Sequence, residues 1–162
     1  MSQDSRDRKI RKAVAKLIRR VAPRAVVSHR WLPGHERKWI DLLRSQDDED
    51  RVHAWCITQV KDDLDTDSGL AIPDRQEGDL MYRVEGWMEW YAGTEDDNSE
   101  DQFAAEREAI KNLLLKTPDL GIPEVVAEHR GITFETDQYD PAGVVVHFSK
   151  GLLVVGLELD LD

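Results

Sequence analysis

A chain of 162 residues with 40% apolar and 34% charged side chains suits one domain spanning 1–162, long enough to bury a core without staples. The single cysteine, Cys56, excludes an intrachain disulfide and fits a reducing compartment. No run of about 18 apolar residues exists for a membrane helix, and the polar start Met1-Ser2-Gln3-Asp4 lacks the apolar run of a signal peptide.

The net charge of −11 is unevenly spread. Residues 1–31 carry ten Lys/Arg against two Asp, and the remainder carries twelve Lys/Arg against thirty-one Asp/Glu. One reading is a solvated basic helix face on an acidic protein. The sharper reading is head-to-tail self-association between unlike patches. The modest apolar share predicts a sheet with one wet face.

Arg6 to Val21 is predicted to be a helix, with Ile10, Val14, Leu17, Ile18 and Val21 as its apolar stripe. Arg8, Arg11, Lys12, Arg19 and Arg20 fall mostly on the opposite side and are the candidate inter-subunit or DNA-path contacts. Pro23 ends the helix. Residues 25–31 then read as a short strand, Pro33-Gly34 as a turn, and Glu36 to Leu43 as a short helix burying Trp39, Leu42 and Leu43. After the acidic turn 46–50, Arg51 to Lys61 alternates as a strand. Val52, Ala54, Cys56, Thr58 and Val60 take one face, and His53, Trp55, Ile57 and Gln59 take the other. Both faces carry bulk, as in an interior strand. Residues 62–78 form a long polar connection to a returning, antiparallel strand at 80–91.

Ser99-Glu100-Asp101-Gln102 matches a capping box and opens a helix over 99–116, with Phe103, Ile110, Leu113 and Leu114 on its buried stripe. Leu120-Gly121-Ile122-Pro123 is a turn, and Ile132 to Glu135 a strand. A turn at 140–143 leads to a final β segment over 144–161, with a bulge near Lys150-Gly151.

No constellation of residues points to catalysis. Asp63, Asp65 and Asp67 alternate as in a calcium loop, but Ser68 stands where the turn glycine belongs and Asp74 where the bidentate glutamate belongs. His29, His35, His53, His129 and His147 lack paired metal spacing, so no metal and no cofactor is expected. There is no nucleophile elbow, no phosphate-binding glycine loop, and no Glu-x-Lys after Pro73-Asp74 of the kind a magnesium nuclease uses. The tryptophans at 31, 39, 55, 87 and 90 read as core or subunit-interface residues, since Glu85 and Glu89 beside two of them repel phosphate.

The order helix, strand, strand pair, helix, closing strands resembles the tail terminator and tail-completion (neck) proteins of tailed bacteriophages. Trp39, the strand Val52 to Thr58, Tyr82 to Trp87, the helix Phe103 to Leu114 with Leu120-Gly121, and the ending from His147-Phe148 to Leu159 carry it. The resemblance implies an α+β fold, a mostly antiparallel sheet with two main helices packed on one face. It also implies a non-enzymatic virion protein, assembled in the host cytoplasm, whose copies close into a ring, commonly a hexamer. Such a ring caps the tail tube, joins the neck connector, passes DNA through its lumen and meets no membrane. The alternative is a nucleic-acid-binding module using the basic first helix.

Overall fold

The computed structural model describes residues 5–30, 41–44, 51–60, 79–139 and 144–158. Among these, α1 (Arg6–Val21) is followed by β1 (Val26–Ser28), β2 (His53–Gln59), β3 (Leu80–Glu89), α2 (Ser99–Leu115), β4 (Val126–Tyr139) and β5 (Val146–Leu157). The strands form one sheet in the order β1-β2-β3-β5-β4. Only β1 and β2 run parallel; the other neighbours are antiparallel. The fold is α+β, with both helices on one face of the sheet.

The periodicities explain these elements. Ser5 caps α1 by accepting from the Arg8 backbone N–H, and the apolar stripe buries Ile10, Val14, Leu17 and Ile18. On the sheet, Trp55, Ile57, Tyr82, Val84, Leu153 and Val155 meet that stripe together with Phe103, Ile110 and Leu114 of α2. Glycines let large rings lie flat here. The Trp55 indole covers Gly86, its registered neighbour, and Phe134 covers Gly151. Trp55 also stacks on Phe103 at 5.6 Å between centroids and meets Phe134 edge-on at 5.8 Å.

The far face differs from the wet face expected. Its apolar residues fall into two buried groups, one around Ala54, Cys56, Trp87 and Val146, the other around Met81, Leu152 and Val154. The registered row Cys56, Glu85, Lys150, Glu135 crosses the sheet on that face. Burial raises the pKa of Glu85 above its ordinary 4.5, against the pull of Arg83 and Lys150.

Three other expectations are corrected. Asn98, not Ser99, caps α2: its side chain accepts from the Asp101 N–H, while Ser99 points into the core. The bulge expected at Lys150-Gly151 is absent, since β5 pairs in unbroken register there with both neighbours. The irregularities lie in β4, between Val126 and Glu128 and between His129 and Ile132, where Gly131 takes a φ of +90°. Leu42 is 48% exposed rather than buried, although Leu43 is fully covered. The remainder of the expected 36–43 helix, the acidic turn at 46–50, the 62–78 connection, the turn at 140–143 and the last residues of the final strand lie outside the described residues.

Candidate functional site

The basic residues of α1 divide into those the fold uses and those it displays. Arg11 is turned inward. Its Nε and Nη2 donate to Asp7 Oδ2 at 3.0 and 2.6 Å, and Nη1 donates to the His29 carbonyl. The Arg11 side chain is only 19% exposed. Asp7 in turn lies beside the Tyr82 hydroxyl, whose pKa is raised above 10 by burial first and by Asp7 second. Arg19 is exposed, but its guanidinium donates to the Val27 carbonyl at 2.9 Å and ties α1 to β1. Arg8 is exposed near the helix start.

Lys12 and Arg20 belong to a second set, together with Lys9 and Lys16, which the sequence reading left out. The spacing 9, 12, 16, 20 places all four on one helix face. They line a groove of about 420 Å³ whose other wall is the turn after α2, with Leu17, Leu120 and Ile122 among its apolar lining and Glu124 as the one acid among the described residues that line it. Leu120 helps to shape this groove. It is the one non-glycine residue at positive φ among the described residues, at +56°, and it is buried. The cationic field of α1 also reaches the residue that follows β1. His29 is held below its ordinary 6.5 by burial and then by Arg11, Lys12, Arg8 and Arg19.

A second cavity, of about 460 Å³, opens between the end of α1, the starts of β2 and α2 and the end of β3. Glu106 sits at its wall. The Trp55 Nε1–H donates to Glu106 Oε1 at 2.5 Å, and His53 Nε2 lies 2.8 Å from both carboxylate oxygens. Arg51 lies over the Tyr91 ring at 4.2 Å, at the same cavity. Among the described residues its lining holds no serine, threonine or cysteine. The Glu106 oxygens are engaged by β2, so the carboxylate clamps helix to sheet. Sequence periodicity had no means of finding this pair, because its partners are about fifty positions apart.

One Ser–His pair has the distance of a nucleophile and its base. Ser99 Oγ lies 2.9 Å from His147 Nε2, yet the two residues are 0% and 4% exposed. The Ser99 hydroxyl donates to the Tyr91 carbonyl and accepts from the Tyr91 N–H. The network therefore assigns the Nε2 proton to His147, which donates to serine rather than withdrawing its proton. This is a buried joint between α2, β5 and the end of β3.

The Cys56 thiol is buried and donates to the Arg30 carbonyl at 3.0 Å. Trp55 and Trp87 are core residues, whereas Trp90 is 49% exposed; Trp31 and Trp39 lie outside the described residues. Among the described residues no three His, Cys, Asp or Glu side chains group as a metal site, and Asp63, Asp65 and Asp67 lie outside them. No described helix is long and apolar enough to cross a membrane. Compared with protein-family models and with curated proteins, the chain matches none.

Proposed function

We propose that the chain is a structural subunit of a ring at the head-proximal end of a phage tail, ending the tail tube and joining it to the neck connector. The observation that carries this reading is the architecture. One mostly antiparallel sheet bears α1 and α2 on a single face, in the element order on which the resemblance rests. The segregated charge adds support. A cationic groove on α1 and an acid-rich surface elsewhere supply the unlike patches that a heterologous, ring-closing contact needs. The partners of such a ring are further copies of the chain, a tube protein and a connector protein, with DNA passing through the lumen.

The test is the mass of the purified assembly together with labelling of the chain in intact particles. A closed oligomer, six copies being the number the resemblance suggests, and label at the tail–neck junction are the expected results. A monomer that never enters particles overturns the reading. If that monomer binds DNA with a steep salt dependence, the basic helix is instead the core of a nucleic-acid-binding module.

A further inference from the structure

The α1 groove and the most acidic described loop sit at opposite ends of α2. The loop ahead of the helix exposes Glu95 and Asp96, and the first helical turn adds Glu100. The groove is walled by the turn that follows the helix. Seventeen residues of helix separate them, roughly 25 Å at 1.5 Å per residue. A rigid rod thus carries an anionic knob at its start and a cationic socket at its end.

We propose that this socket receives the Glu95-Asp96-Glu100 knob of a second copy of the chain. Lys9, Lys12, Lys16 and Arg20 present four cations around a floor of Leu17 and Leu120, and the knob presents three acids. Unlike patches at two ends of one element can join two copies reciprocally about a two-fold axis or many copies head to tail. In the ring reading they join head to tail, the contact propagating until rotation closes it. The inference rests on the ring reading above and names one contact that builds the ring. The charges are at the surface, so the contact is salt-sensitive and acts most strongly on encounter and register.

The experiment uses two full-length variants, Lys16→Glu with Arg20→Glu and Glu95→Lys with Asp96→Lys. Their masses are followed by light scattering at low and high salt, beside their melting temperatures. All four positions are exposed, so both variants should melt close to the wild type. Each alone should associate at least about tenfold more weakly than the wild type. An equimolar mixture should recover the wild-type mass, because each reversed socket then meets a reversed knob. Variants that assemble alone like the wild type overturn the contact and leave the ring reading standing. Weakened variants whose mixture stays dissociated also overturn it, since the two patches then do not meet each other. A wild type that is monomeric at every salt concentration overturns both.

Discussion

Trp55 lies flat across Gly86, the residue registered opposite it on β3, so closely that a β-carbon at position 86 would come within 2.5 Å of the indole ring. This glycine is therefore defined by its neighbour's size rather than by its own backbone. The same indole presents its N–H to Glu106, so the glycine, the ring and the helix clamp form one chain of dependence.

Gly86→Ala should displace the ring and cost about 1–3 kcal/mol, the range for overpacking a filled core. Urea titration of the variant beside Gly131→Ala separates the two ways a glycine matters, since a β-carbon at 131 meets nothing but the φ there is +90°. A loss below about 0.5 kcal/mol at position 86 would mean that the indole has room to move.

Glu106→Ala should leave the buried Trp55 N–H without its acceptor and cost about 1–3 kcal/mol. Glu106→Gln keeps an acceptor oxygen and should recover part of that loss. Equal destabilisation by the two variants in denaturant melts would argue that charge, rather than acceptance from Trp55, is what the clamp needs.

Ser99→Ala and Asn98→Ala should differ in kind. The Asn98 change removes an N-cap and should cost about 1 kcal/mol, as an exposed cap does. The Ser99 change strips the buried Tyr91 N–H and His147 of a partner and should cost about 1–3 kcal/mol. A Ser99 variant less damaged than the Asn98 variant would show that the buried bonds of Ser99 to Tyr91 and His147 contribute little.

His147 is held below its ordinary value of 6.5, chiefly by burial, with Arg107 acting in the same direction and Glu100 against it. Below that value the unfolded chain takes up a proton that the folded chain refuses, so stability should fall as pH drops beneath about 6.5. Above it the contribution is constant. His147→Gln should flatten that part of the stability profile. A titration midpoint of His147 above 6.5, read by NMR, would reverse the sign.

Arg11→Glu and Lys16→Glu test the division of the α1 cations. Reversal at Arg11 breaks the pairing with Asp7 and the bond to the His29 carbonyl and should cost about 1–3 kcal/mol. Reversal at Lys16 should change stability by less than about 1 kcal/mol. Thermal melts showing equal effects would remove the distinction between inward and displayed cations.

Much of the fold was legible because it is local. The alternation that sorted Val52, Ala54 and Cys56 from Trp55 and Ile57 assigned the two faces of β2 correctly, and both helices fall within a residue of their expected ends. What was hidden depends on partners distant in sequence. Asn98 and Ser99 have equal claims as caps, and the choice is made by Tyr91 and His147, which draw Ser99 inward. The bulge was placed at Gly151, where a glycine interrupts a strand, but that glycine makes room for Phe134. Glycine alone does not reveal which of these two uses it serves. Within the basic helix, Lys9 and Lys16 share a face with Lys12 and Arg20 by spacing yet are absent from the candidate contacts, and spacing does not show that Arg11 turns away from them.

The two kinks in β4 have a consequence for how copies of this chain tolerate each other. β4 is the outermost strand and runs for 14 residues, long enough to template a foreign strand along its outer side. The register shifts at 126–128 and 129–132 break its hydrogen-bonding comb, and the exposed carboxylates of Glu135 and Asp137 guard the stretch beyond them. A neighbour sliding alongside meets mismatched teeth and then like charge. The edge therefore resists strand-to-strand zipping into fibrils, and any contact between copies is left to their faces rather than to their seams.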